Sequence, residues 1–332
     1  MTLAFIVAAP VYLFRWMQRN IAFRVPSAHP RNDAKAMFDA PAFVFDVVRR
    51  PGGFVLALQT EPGEGDADIV VFDEGATHGR VLARHVHHAR VGLANQDVAW
   101  VTCPPAGGVN PCALYVAPSS GGRAPRALTP PNSSYVLFDS DRVVYRSRET
   151  ASLIAVSPES NDVRTIADFR TFRGETYSSD LTRTRHHYWW SSVGSGNRPE
   201  IWSIDVAGGE AKLEKTTLTE RTALALIGSL DERALVVYGA DLTALAPGGG
   251  PSTKLAPIPK DCRAVRTKTV AGDVILQCSR MRAEGGTINS LHRLKAGAQS
   301  FEPLVDDMEA FDVDERSLYF ASRSTVYVVP LR

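Results

Sequence analysis

The feature that most constrains this chain is a recurrence. About every 44 residues a short run rich in β-branched and aromatic side chains returns, beginning at Phe54, Val98, Val143, Tyr188, Leu235, Val274 and Leu318. A turn-rich stretch and a second run of the same character follow each one, beginning at Ile69, Leu114, Leu153, Ile201, Leu242, Leu291 and Val326. Such runs, bounded by polar turns, read as strands. Small-residue turns come next, as at Ser119 to Gly122, Ala207 to Gly209 and Pro247 to Gly250, and lead into a third run such as the one ending at Leu128 or Leu255. A fourth run precedes each unit, for example from Tyr135 or Ala310, and ends in an Asp-containing turn at Asp139, Asp231 or Asp314.

Each unit is therefore four antiparallel strands, and there are seven of them. A unit of this size cannot bury both faces of its sheet alone, so it must stack on copies of itself, and closing the stack into a ring leaves no large apolar face in water. The fold class is all-β, a seven-bladed β-propeller of four-stranded antiparallel blades. A helical alternative fails because no window sustains a 3.6-residue apolar period, and 25 Gly and 21 Pro punctuate the chain throughout. No proline- or serine-rich tract separates the repeats, so residues 21–332 read as one domain of the 332-residue chain. The seventh unit reaches Arg332 after its third strand, which leaves its outermost strand to the N-terminal side. Residues 21–25 (IAFRV) are the expected latch.

Residues 1–20 begin with an apolar run from Thr2 to Phe14, broken by Arg15 and Arg19. The run is shorter than the roughly 20 residues of a membrane span and near the length of a signal-peptide core, without a basic residue ahead of it. Export signal, membrane anchor and a helix docked on the domain all remain open, and any membrane association runs through this segment. The remaining charge argues against nucleic acid as a partner: 37 Lys and Arg stand against 36 Asp and Glu, a net charge of +1.

The run from Tyr188 (YWWS) with Ile201 to Asp205 (IWSID) and Gly208-Gly209 resembles a YWTD-type or TolB-like propeller repeat. Leu114 (LYVA) with Gly121-Gly122, and Leu318 (LYFAS) with Val326 (VYVV), follow the same grammar. Ser191 stands where the YWTD signature has Asp, and seven units are present where that family has six. The resemblance implies an extracellular or periplasmic binding module; a superfold does not by itself set a function.

Cys103 and Cys112 flank a turn centred on Gly107-Gly108, and Cys262 and Cys278 straddle a turn near Ala271-Gly272, so two disulfides are expected, with four reduced thiols as the alternative. Disulfides favour an oxidising compartment, periplasmic or extracellular. No Cys-x-x-Cys spacing marks a zinc site.

Loops between blades carry function when a rigid scaffold presents them. His85 and His87, in the segment joining the first two units, would point the same way on an extended strand and could hold a metal or move a proton. Arg170, Arg173 and Glu175 lie in a later inter-unit loop and could meet an anionic ligand. A solvated surface loop is the plain alternative for both groups. The Glu64 to Asp68 stretch reads as a polar turn, and Trp189, Trp190 and Trp202 as packing between blades. On the innermost strands Arg90, Tyr135, Tyr177, Arg263 and Glu309 compose no metal shell. No hydrolase elbow, dinucleotide fingerprint, P-loop or metalloprotease motif occurs, and no cofactor is expected. The function expected is a non-enzymatic, exported module binding a protein, peptide or glycan; a lactonase- or lyase-type enzyme using charges at the channel mouth is the alternative.

Overall fold

The computed structural model describes residues 33–59, 66–87, 89–103, 112–128, 133–139, 141–147, 150–168, 181–194, 198–217, 223–281 and 287–331. They form seven four-stranded sheets, each fully antiparallel, and each sheet except one is built from strands consecutive in the chain. We number the blades 1 to 7 along the chain and letter their strands a to d from the channel outward. The a strands are Val44–Arg50, Arg90–Ala94, Ser133–Phe138, Leu181–Arg183, Leu224–Leu230, Arg263–Val270 and Ala310–Val313. The expected seven-bladed propeller is what the chain forms.

The exceptional sheet is blade 7, whose order is Ala310–Val313, Ser317–Ser322, Thr325–Pro330 and then Lys35–Asp39. The latch is thus Lys35–Asp39 and not residues 21–25, which lie outside the described residues. Its sequence, KAMFD, carries little β propensity. It pairs because it directly precedes the first a strand: Lys35 stands opposite Val328 and Asp39 opposite Thr325. Position wins over propensity here, and one side chain fastens the result. Phe38 stacks on Phe72 at 5.2 Å and meets Phe54 at 5.7 Å, tying the last blade to the first.

Apolar burial is divided among seven clusters, one between each pair of neighbouring blades. Apolar residues line both faces of the b and c strands so that both faces of every sheet are covered, as in the b strand of blade 1, Gly53–Gln59, buried from Gly53 to Leu58. Trp189 and Trp190 lie on opposite sides of blade 4, in the clusters shared with blades 5 and 3, and both are fully buried. Their predicted packing role holds.

Both disulfides form. Cys103–Cys112 joins the ends of the b and c strands of blade 2, and Cys262–Cys278 joins the start of the a strand of blade 6 to its b strand. A second set of ties runs round the outside. The d strand of one blade repeatedly reaches the c–d turn of the next: Arg80 to the Ser119 carbonyl, Arg126 to Asn161 and the Pro158 carbonyl, and Glu214 to the Gly248 and Gly249 amides at 2.9 and 2.8 Å. The small-residue turns of the repeat therefore serve as sockets for the preceding blade.

Phe38→Ala removes the aromatic contact of the latch and is expected to cost about 2–3 kcal/mol, below the range for fully buried Phe truncations because the ring is only partly buried. Denaturant melts of the variant and the parent protein measure it. Replacing both Cys262 and Cys278 by Ala should cost a further 2–4 kcal/mol or so.

Candidate functional site

The a strands are tied to one another around the channel, blade by blade. Asp46 of blade 1 accepts from the Val91 amide of blade 2 at 3.2 Å. Gly92 of blade 2 lies flat against the Phe138 ring of blade 3, where a Cβ would fall 2.0 Å from Cγ of that ring. Asp139 pairs with Arg183 of blade 4, and Ser229 of blade 5 donates to the Arg183 carbonyl at 2.9 Å. Thr267 of blade 6 donates to the Ile227 carbonyl of blade 5 at 3.0 Å, across Gly228, whose own Cβ would collide with the Thr267 hydroxyl. Lys268 pairs with Asp312 of blade 7. Asp312 in turn accepts from the Arg49 amide of blade 1 at 2.7 Å, which closes the circuit.

The contacts from Asp139 round to Asp312 gather at one end of the channel, where the a strands turn into the b strands, whereas Asp46 and Val91 meet near the entry to their strands. The former surround a cavity of about 580 Å³, within the range of small-ligand sites. Its charged lining is Asp139, Arg183, Arg185, Lys268 and Asp312; Thr182, Thr184, Ser229, Thr267 and Thr269 add hydroxyls. Asp312 is nearly buried and its carboxylate is engaged on both oxygens: Oδ2 by the Arg49 amide, Oδ1 by Lys268 and by the Val313 amide at 2.8 Å. The Arg183 Nε is buried and finds no hydrogen-bond partner among the described residues. Further along the channel, register shifts in the a strands of blades 1 and 6 leave Phe45 and Val265 outside the ladder, and both are exposed. Bulges of this kind bend a strand and re-aim the side chain at the extra position.

The opposite face, where b–c and d–a loops lie, holds the histidines. His85 and His87 belong to the d strand of blade 1, Arg80–His87, and not to a loop. The strand bulges there, with His85 at φ 52°, so simple alternation does not relate the two rings. Asp68 accepts from the His85 amide at 3.1 Å, and Asp66 pairs with the His87 imidazole. Asp66 and Asp68 thus lie within the c strand of blade 1, Asp66–Asp73, where a polar turn was expected. Arg170, Arg173, Glu175 and Tyr177 fall outside the described residues. Among the described residues no group of three His, Cys, Asp or Glu side chains is placed to hold a metal ion.

Arg90, Tyr135 and Arg263 do stand on a strands, and Glu309 immediately precedes one. All occupy the first half of their strand or its entry, away from the cavity. Asp139 was read only as the Asp of a turn, and Arg183, Arg185, Lys268 and Asp312 were not singled out, because they lie at the other end. The signal for them was the position just before or within each a–b turn, combined with the direction of the a strand. Glu309 has a property of its own: burial pushes its carboxyl up to about 7, Asp307 adds to the rise, and the Arg323 amide, donating at 2.7 Å, works against it.

No protein-family model and no curated protein matches the sequence. Solved structures match as folds. A prolyl endopeptidase aligns with a TM-score of 0.60 at 12% identity, over 90% of this chain and 51% of its own. The β-propeller domain of the trilobed protease from Pyrococcus furiosus aligns at 0.59 and 14%, over 87% of this chain and 95% of that one. A puromycin-hydrolysing peptidase from Mycobacterium tuberculosis aligns at 0.62 and 11%, over 92% and 56%. The chain spans about half the length of the two peptidases. At these identities the likeness shows a shared propeller and nothing finer.

Two outcomes are expected. Asp312→Ala leaves Lys268 without its partner and the Arg49 amide unsatisfied, and should destabilise the protein by about 2–3 kcal/mol in equilibrium unfolding, less than breaking a fully buried pair because Lys268 is 32% exposed. Between about pH 4.5 and 7 the folded protein keeps a proton on Glu309 that the unfolded chain has released, so this group's stabilisation is full below that window and is lost as pH rises through it. Glu309→Gln should melt close to the parent protein near pH 5 and a few degrees higher at pH 8.

Proposed function

We propose that the chain is an exported, non-enzymatic propeller module that binds a group of a protein, peptide or glycan in the mouth of its channel. The observation that carries this reading is the 580 Å³ cavity on the ring axis, built from the ends of five a strands and lined by charges and hydroxyls. Side chains on rigid strands, each tied to the next blade, present their donors in fixed positions before a ligand arrives, and such preorganisation lowers the entropic cost of binding. The carboxylates of Asp139 and Asp312 are both engaged by a cation from the neighbouring blade. That arrangement suits a hydrogen-bonding wall better than an acid–base pair facing a substrate, so binding is preferred to lactonase- or lyase-type chemistry.

Export is supported by the two disulfides, which persist in oxidising compartments.

Thr269→Trp tests the site, because it sets an indole in the cavity without touching the inter-blade ties. Peptide and glycan arrays probed with the parent protein should yield ligands that this variant fails to retain, its melting temperature being unchanged. Ligands held equally by both proteins would move the site elsewhere. Export is tested by the intact mass of the protein from its native compartment, with and without alkylation: two protected bridges are expected, and four alkylated thiols would remove the argument.

A further inference from the structure

The lining of the cavity is unbalanced in hydrogen-bonding terms. Its charged acceptors are already engaged by the protein: both oxygens of Asp312 have partners and Oδ2 of Asp139 takes Arg183; the Arg183 carbonyl likewise takes the Ser229 hydroxyl. Its cationic donors are not all used. Lys268 spends one N–H on Asp312 and has others to give, and its side chain is 32% exposed. The Arg183 guanidinium is engaged by Asp139 through Nη1, its side chain is 29% exposed, and its Nε is buried, so the N–H groups it can offer a ligand are those of its exposed Nη atoms. Arg185 is exposed on the a–b turn of blade 4 and lines the same cavity. Three cations therefore face two carboxylates, and each carboxylate already holds one of those cations.

A neutral polyol would need acceptors from the wall as well as donors, and could draw these only from hydroxyls and carbonyls, leaving the three cations unneutralised. A group that brings acceptors alone fits better. The rim is also walled by Leu137, Phe138 and Val313, which lower the local dielectric and strengthen any ion contact made there.

We propose that the channel mouth is a carboxylate site, in which Lys268, Arg183 and Arg185 receive the anionic end of a small ligand. This rests on the mouth being the binding site. Two sources share the chemistry: the C-terminus of a peptide and the acid group of a uronic sugar. In either case the carboxylate replaces water around the exposed N–H groups of Lys268, Arg183 and Arg185, and the ion pairs to Asp139 and Asp312 stay in place, holding the cations in register. Charge-assisted hydrogen bonds of this kind are the stronger class.

The test is calorimetric titration of the full chain with N-acetyl-leucine and galacturonate, each beside its neutral counterpart, N-acetyl-leucine amide and galactose. At least one acid should bind while its counterpart does not, and affinity should fall as salt is raised from about 0.05 to 0.5 M. N-acetyl-leucine binding alone points to a peptide terminus, galacturonate binding alone to an acidic glycan. Lys268→Met should weaken the acid about tenfold or more. Arg185→Ala, at an exposed position, should weaken it severalfold without altering the melt, and so keeps the question answerable if Lys268→Met folds poorly. Absence of heat from both acids up to about 10 mM overturns the proposal. Neutral probes binding as well as the acids, and lost in Thr269→Trp, overturn the carboxylate assignment while leaving the mouth as the site. Acid binding that persists in Thr269→Trp overturns the mouth itself.

Discussion

The whole ring depends on a joint between residues 263 apart in the chain, the Arg49 amide donating to the Asp312 carboxylate. Every other pair of neighbouring a strands is adjacent in sequence order, so loop closure between them is a local matter. Blade 7 meeting blade 1 is not, and the cost of bringing the two ends together is incurred there. Asp312 serves three partners at this point: the backbone of blade 1, the backbone of its own strand and Lys268 of blade 6. One buried carboxylate thus spans three blades. The latch strand Lys35–Asp39 repeats the closure at the rim, with Phe38 seated between Phe54 and Phe72.

The same economy explains why the channel mouth is polar. Apolar residues are used up between blades, in seven separate clusters, and the innermost edges of the sheets are left with backbone groups and side chains that must find partners across the channel. Where a side chain is absent, the strands approach instead: Gly92 against Phe138 and Gly228 against Thr267 are contacts that no other residue allows without displacement. Structure and candidate site are therefore one network. Apart from the exposed Arg185, the charged side chains that would meet a ligand are those that hold neighbouring blades in register, and a substitution there should be read for stability before it is read for binding.

Much of the blade pattern was legible in the repeat, because alternating apolar runs and turn residues act over a few positions. The b and c strands, the small-residue turns and the disulfide pairs all follow from local spacing. The latch was misplaced because KAMFD is a poor strand by composition and pairs only through its position ahead of Val44. His85 was misread for a related reason: a bulge interrupts the alternation on which the argument relied. The cavity residues were missed because Asp139, Arg183, Lys268 and Asp312 are scattered over four repeats and look like ordinary turn-flanking charges in each.

By itself the sequence determined that the chain must be a closed seven-bladed ring, since seven short sheets with apolar residues on both faces have no other way to leave water. It also determined which cysteines could meet. Only the tertiary structure decided which end of the channel opens into a cavity and which charges share it. The reason is physical: burial depends on each residue's own polarity and neighbours in the strand, whereas convergence on the ring axis depends on strand direction, bulges and the pitch of all seven blades together.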